Sequence, residues 1–185
     1  MTYSTVSTKA TGDTVAASDW NTYLRDNMAD HEARIGAIAY SGCRVVRTTN
    51  QSIPDSTYTA ISFTAETTDQ GGWFPTTGTT ATVPSGALPS GYTTLVLQVS
   101  VQLYWAGNAT GQRVVRILKN GVEFFSWAQG PAGASNFGMG GTATDVTAVP
   151  SDTITVEVNQ SSGGALNLIG ATQEIALSIR RVGYY

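Results

Sequence analysis

The fold is decided by one segment, Leu95-Val96-Leu97-Gln98-Val99-Ser100-Val101-Gln102-Leu103-Tyr104-Trp105. Apolar side chains occupy every second position from Leu95 to Trp105, with Gln98, Ser100 and Gln102 between them. Successive side chains of a β-strand point to opposite faces of the sheet, so this period of two places one face in a core and leaves the other outside it. The segment therefore predicts a half-buried antiparallel strand.

The same alternation recurs toward the C-terminus. Its apolar members are Ile154, Val156 and Val158, and then Ile175, Leu177 and Ile179. Asn120-Gly121 separates two further apolar runs, and this dipeptide is the one that best tolerates the positive φ angles of a tight hairpin. Gly, Pro and Asp clusters punctuate the rest of the chain after Gly42. Roughly eight or more strands at this spacing predict an all-β sandwich or jelly roll over residues 43–185.

A helix is predicted before the strands, over residues 17–40, with Ser18 and Asp19 as its cap and acidic first turn. Its apolar seam has a 4-3-4-3 spacing and consists of Leu24, Met28, His31, Ile35 and Ile38. A stripe this narrow is typical of a helix that faces partner helices, so we expect it to take part in a trimer. The alternative is a helix packed on its own domain. For His31 we expect a histidine that is hydrogen-bonded in a small core, and a pH-sensitive or ion-binding layer of the seam is the alternative.

Composition excludes several classes of protein. The net charge is −3, charged residues make up 12% of the chain, and Lys9 and Lys119 are its only lysines. No basic face for nucleic acid can be built from these residues. Lysines commonly protect the free edges of sheets, so their scarcity indicates that neighbouring subunits cover the edges. No stretch of about 18 apolar residues occurs and no apolar leader is seen, so we expect neither membrane insertion nor classical export.

Catalytic chemistry is not expected. The chain has one histidine and one cysteine, His31 and Cys43, which lie in different predicted elements and leave no disulfide or metal site. The carboxylates of the strand region occupy turns or the polar positions of strands, where solvated acids are normal; they are Asp145, Asp152, Glu157 and Glu174. We therefore predict no catalytic residue, no metal and no cofactor.

Aromatic residues in the predicted loops are candidates for a ligand or host-contact platform. They are Trp73, Phe74, Trp127 and Phe137, with Trp105 as a further candidate. Packing in the core or between subunits is the alternative, and we expect it for about three of the five.

The segment Gly12-Asp13-Thr14-Val15-Ala16-Ala17-Ser18-Asp19-Trp20-Asn21-Thr22-Tyr23-Leu24-Arg25-Asp26-Asn27 resembles one found near the N-termini of many structural proteins of tailed bacteriophages. The resemblance implies a virion component that is attached to the particle by its N-terminal part. Residues 1–16 are small and polar and are expected to form an extended docking arm. The attachment residues implied are Asp19, Trp20, Asn21, Arg25, Asp26 and Asn27, with Trp20 anchored in a partner pocket.

A second resemblance covers about 90 residues, from Gly91-Tyr92 through Lys119-Asn120-Gly121 and the turn at Pro150-Ser151-Asp152 to Arg181. This order of a long strand, a hairpin, a Val-rich strand and a closing strand is similar to the C1q/TNF jelly roll. The resemblance implies a compact homotrimer, which agrees with the helix seam and the scarcity of lysine.

Together these observations predict a non-enzymatic virion protein, assembled in the host cytoplasm, whose three jelly rolls form a knob. Its partners would be two further copies of itself and other virion proteins of the capsid or tail, with a host-surface glycan as a candidate ligand. The sequence leaves two placements open, a minor tail or fibre protein and a capsid decoration protein. The alternative function is a free trimeric carbohydrate-binding module.

Overall fold

The computed structural model of the protein describes residues 18, 20–22, 24–29, 41–131, 133–171 and 174–185. The chain divides into two compact units, Met1–Ala39 and Tyr40–Tyr185. In the first unit the described residues, 18, 20–22 and 24–29, are helical and fall inside the segment predicted as a helix. No helix in the described part of the chain is long and apolar enough to cross a membrane.

The second unit consists of β-strands and their connections. Its described strands are β1 (Gly42–Arg47), β2 (Gln51–Ile53), β3 (Thr59–Ala60), β4 (Ala65–Gln70), β5 (Thr80–Thr82), β6 (Leu95–Trp105), β7 (Arg113–Lys119), β8 (Val122–Gln129), β9 (Phe137–Ala148), β10 (Thr153–Gln160), β11 (Leu166–Leu168) and β12 (Ile175–Tyr184). A 3-10 turn, Ser85–Ala87, lies between β5 and β6.

The strands form two antiparallel sheets. In the seven-stranded sheet β6 lies between β9 on one side and β12 and β11 on the other, and β12 continues to β1 and β4. In the five-stranded sheet β10 lies between β7 on one side and the short strands β3 and β5 on the other, and β7 continues to β8. The predicted strand Leu95–Trp105 is thus confirmed, and it is central to the larger sheet.

The β7–β8 hairpin turns at Asn120-Gly121, as predicted, with φ angles of 52° and 77°. Asn can adopt this left-handed region and Gly does so freely, which makes the turn compatible with the right-handed twist of its strands.

The core lies between the two sheets and follows the period of two. On β6, Leu95, Leu97 and Val99 are fully buried, and the facing side chains of Ile154 and Val156 on β10 are equally buried. Burying each such aliphatic side chain contributes about 1.5–3 kcal/mol, which is the main stabilisation of a sandwich of this kind. The predicted all-β class is therefore confirmed.

The two ends of the sandwich carry different connections. We call the end near Leu95, Tyr184 and the Asn120-Gly121 turn its base; β1 runs away from this end. The opposite end, which we call the apex, carries the connections 54–58, 106–112, 130–136 and 161–165, of which all residues except 132 are described.

Candidate functional site

The outward face of the seven-stranded sheet carries several small residues close together, among a few larger ones. The register aligns Arg44, Ser178, Ser100 and Thr142 across β1, β12, β6 and β9. A second row aligns Val46, Ala176, Gln102 and Gly140 across the same strands, and Tyr104 pairs with Gly138 beyond it. We call this surface the platform.

A groove of about 570 Å³ lies on the platform. The hydroxyls of Ser100 and Thr142 are 3.0 Å apart and hydrogen-bond across the strands. Gly138 leaves room for the neighbouring ring, because a Cβ atom there would lie 3.0 Å from Tyr104 Cε1. Arg44, at the side of the groove, forms an ion pair with Glu174. The groove is thus lined by hydroxyl, amide and backbone groups together with apolar residues such as Met139 and Ala176, and its one lining cation, Arg44, is partnered.

Strand β8 is a free edge of the five-stranded sheet in the described chain, because it pairs only with β7. Val122 and Phe124 on this strand are exposed at 69% and 37%. The register shifts between Ile117 and Leu118, which places Phe124 in a bulge. We call Val122 and Phe124 the edge ridge. An apolar ridge on a free edge is a surface that water solvates poorly.

The predicted attachment residues lie partly in the described helical segment. Trp20, Asn21, Arg25, Asp26 and Asn27 are helical, and all but the half-buried Asn27 are exposed. Arg25 Nη2 lies 3.4 Å from Asp26 Oδ1. Asp19 lies outside the described residues. Nothing in the structure tests their role in attachment, which stays a prediction.

The predicted trimer seam is described at two of its five positions. Leu24 and Met28 are exposed at 52% and 62%, and Trp20, four residues before Leu24, is exposed at 50%. Residues at this spacing share one face of a helix, so the three form an apolar stripe. The remaining seam residues, His31, Ile35 and Ile38, lie outside the described residues.

Three of the five candidate aromatic residues are buried, in line with the expectation of packing for about three of them. Trp73 and Phe74 are buried in the core, because the carboxylate of Asp69 accepts hydrogen bonds from both of their backbone N–H groups and draws the loop inward. Trp73 also donates from Nε1 to Ser41 Oγ at 3.1 Å. Trp105, the further candidate, is fully buried as well.

Trp127 and Phe137 are only partly buried and pack against the core at the edge formed by β8 and β9. A Cβ atom at Gly141 would lie 2.9 Å from Trp127 Cζ2, so the ring rests directly on that glycine. Their place at the edge keeps them as candidates for contact with a partner.

Cys43 is fully buried between the sheets. Burial raises the pKa of the Cys43 thiol to about 12, and the charge of Asp69 adds to the effect. The thiol is therefore protonated and unreactive at neutral pH. In the described part of the chain, no three His, Cys, Asp or Glu residues are grouped so as to hold a metal ion.

Reasoning from the sequence missed both the platform and the edge ridge. The signal available was the alternation of small residues, Ser100 on β6, Gly138 and Gly140 on β9, and Ala176 and Ser178 on β12. These segments lie far apart in the chain, and only their pairing shows that the small residues meet on one face.

The fold is similar to that of many solved structures, and three of them illustrate the similarity. The globular domain of zebrafish complement 1qA protein matches with a TM-score of 0.53 and 10% identity, over 78% of this chain and 99% of that chain. Murine APRIL at pH 5.0 matches with a TM-score of 0.54 and 14% identity, over 77% of this chain and 99% of that chain. Eiger TNF from S. frugiperda matches with a TM-score of 0.54 and 9% identity, over 78% of this chain and 93% of that chain. No family model and no curated protein matches the sequence.

The second unit therefore has the C1q/TNF-like jelly-roll fold, which confirms the fold that the second sequence resemblance implied. The similarity to these structures is a similarity of fold.

Proposed function

We propose that the protein is a non-enzymatic structural protein of a tailed-bacteriophage virion, a homotrimeric knob attached to the particle by its N-terminal arm and helix. The observation that carries the proposal is the platform on the outward face of the seven-stranded sheet. The phage assignment rests on the resemblance of residues 12–27, and the trimer rests on the surfaces of the jelly roll.

The platform favours contact with another protein surface. A solvated sheet face normally carries long polar or charged side chains, whereas Gly138 and Gly140 are exposed and have no side chain to cover the backbone. Small residues let a partner approach closely and make many van der Waals contacts. Lys119 is the sole lysine of the second unit and lies beside Asp152. The sheet edges therefore lack the lysine side chains that commonly prevent an edge strand from pairing with another chain.

The edge ridge of a second copy is the occupant that we assign to the platform. Each copy carries both surfaces, so the contact is heterologous, and three such contacts close into a ring with threefold symmetry. Burial of Val122 and Phe124 would remove apolar surface from water, and the small residues of the platform would accommodate them.

The helix would add to the same assembly. Trp20, Leu24 and Met28 form an exposed apolar stripe, and such a stripe is stable in water only when a partner covers it. In the proposal Leu24 and Met28 contact the helices of the other copies, and Trp20 with its polar neighbours contacts another virion protein.

The trimer is tested by light scattering during size exclusion of the full chain. We expect three times the chain mass of 19.4 kDa. Gly140→Trp should give a folded monomer, because the indole would fill the platform. Gly86→Trp is the matched control, since a side chain there meets nothing within 4 Å and the position lies off the platform. A monomeric wild type, or a trimeric Gly140→Trp, would refute the contact.

The virion role is tested on particles. Deletion of residues 1–16 should leave the trimer intact and abolish its incorporation into phage particles. Cryo-electron microscopy of the particles should then show threefold density in the wild type, at the tail for a tail or fibre protein and on the capsid for a decoration protein. Absence of density at both places would favour the free carbohydrate-binding module.

A further inference from the structure

A buried arginine holds one of the loops at the apex. Arg113 is fully buried, and its guanidinium donates hydrogen bonds to the backbone carbonyls of Asn108, Thr110 and Gln112 at 3.2, 3.0 and 3.0 Å. Its Cζ lies 5.7 Å from the centre of the buried Trp105 ring. All three acceptors belong to the 106–112 connection, so one side chain sets the shape of this loop.

A buried glutamine holds a further connection and the end of β2. Gln160 is fully buried, and its Nε2 donates to the carbonyls of Ile53 and Gly164 at 3.1 and 2.7 Å. Its Oε1 accepts from the backbone N–H of Ser162 at 2.8 Å. The amide therefore ties the end of β2 to the 161–165 connection, and the backbone carbonyl of Gln160 accepts a hydrogen bond from Ser56 N in the 54–58 connection at 2.7 Å.

Direct hydrogen bonds join the loops to one another. The donors and acceptors are Gly163 N to Asp55 Oδ1 at 2.8 Å, Gln112 N to Ser161 Oγ at 2.9 Å, and Gly107 N to Asn136 Oδ1 at 3.0 Å. All four apical connections thus belong to one network, and we call their surface the apical surface.

The hydrogen bonds of Arg113 and Gln160 go to backbone groups of the connections and of a strand end, not to core side chains. Among the described residues no carboxylate pairs with Arg113, and its buried Nε has no hydrogen-bond partner. Replacing a buried charge by a well-packed apolar residue often stabilises a protein, so a buried cation is weak evidence for a stabilising role. What Arg113 and Gln160 provide is a fixed arrangement of surface loops. Loops held in one conformation lose little entropy when they bind a ligand.

The apical surface is nearly uncharged. Residues 54–58, 106–112, 133–136 and 161–165 contain one charged residue, Asp55, and otherwise consist of Gly, Ser, Thr, Asn, Gln, Ala, Pro and Tyr58. Hydroxyl, amide and backbone groups both donate and accept hydrogen bonds, which suits a ligand rich in hydroxyls. Anionic ligands would find no free cation in these four connections.

Tyr58, the last residue of the 54–58 connection, adds an aromatic ring that lies over Arg116 of β7. It is 42% exposed, and Arg116 Cζ lies 3.6 Å from the centre of its ring. Arg116 is in turn held by Glu157, with its Nη2 and Nε at 2.6 and 2.9 Å from Oε2. One face of the ring is covered by a fixed guanidinium, so its exposed surface lies on the other face.

We propose that the apical surface is a binding site for a neutral glycan, in which a pyranose stacks its C–H face on Tyr58 and its hydroxyls hydrogen-bond to the apical loops. An exposed aromatic ring that follows the hydroxyl residues Ser56 and Thr57, over a guanidinium whose charge is paired by Glu157, offers a surface for each side of a sugar, the apolar and the hydroxylated one. The site goes beyond the proposed virion role and does not depend on the contact between copies.

The site is tested with the full chain on an array that carries neutral glycans, sialylated glycans and unglycosylated peptides. We expect binding to a subset of the neutral glycans. Tyr58→Ala should weaken that binding by roughly tenfold or more, and Tyr58→Phe should retain it because the ring remains. Tyr185→Ala is the matched control, since Tyr185 is an exposed tyrosine at the base. Thr110→Glu at the apex should also weaken binding, whereas Ser90→Glu, in the β5–β6 connection, should not.

Several outcomes would overturn the site. Binding to no glycan of the array, binding only to sialylated glycans, or equal binding to the peptides would each contradict a neutral-glycan site. Unchanged binding by Tyr58→Ala and Thr110→Glu would place any glycan site elsewhere. Light scattering on the same samples separates these results from a failure of the trimer.

Discussion

At the scale of single residues, Asp152 joins the two turns at the base. Its carboxylate accepts hydrogen bonds from Asn120 Nδ2 at 2.7 Å and from the backbone N–H of Val149 at 2.9 Å, with Lys119 Nζ 3.4 Å away. Burial alone would raise the pKa of Asp152, but these hydrogen bonds and the lysine charge outweigh it and lower the pKa below the ordinary value of 3.8. The carboxylate therefore stabilises the fold fully above pH 3.8, and the contribution is lost as the pH falls through the native pKa.

We expect Asp152→Asn to lower the free energy of unfolding by about 1–3 kcal/mol at pH 7, because hydrogen bonds to a charged acceptor are lost. The difference from the wild type should shrink below pH 3.8. Urea denaturation at several pH values measures both. Asp145→Asn is the control, since Asp145 is exposed and has a positive φ that Asn also tolerates. Equal effects of the two substitutions would show that the base is not held by Asp152.

At the scale of elements, β9 presents two adjacent glycines to opposite sides of its sheet. Gly141 supports the Trp127 ring, whereas a Cβ atom at Gly140 would approach only the Val101 carbonyl oxygen, at 3.3 Å. We expect Gly141→Ala to cost about 1–3 kcal/mol, because the indole must move out of a packed edge. Gly140→Ala should cost less, since alanine suits a strand better than glycine does. Thermal unfolding of the two variants compares them, and the reverse order would contradict this account of the edge.

At the scale of the whole molecule, the second unit has its own core and the surfaces proposed for the trimer. Residues 40–185 expressed alone should therefore fold and form a trimer, with a melting temperature that rises with protein concentration. Calorimetry at several concentrations and light scattering measure this. A stable monomer would mean that contact between the jelly rolls is wrong and that any trimer depends on the helix.

The sequence by itself determined the class of fold and the position of its main strands. The period of two over Leu95–Trp105, 154–158 and 175–179 is a local signal, because the alternation of apolar and polar residues within each strand shows which of its faces is buried. The Asn120-Gly121 hairpin is equally local, since the backbone preferences of these two residues specify the turn.

Only the tertiary structure decided where the surfaces lie. The platform requires β1, β6, β9 and β12 to be neighbours in one register, and pairing between distant segments leaves no local pattern in the chain. Trp73 and Phe74 belong to a loop without periodicity, and the carboxylate of Asp69 places them in the core. Arg113 and Gln160 read as ordinary polar strand ends in the sequence. Their burial depends on loops from three parts of the chain that meet at the apex, so folding alone gives them their role.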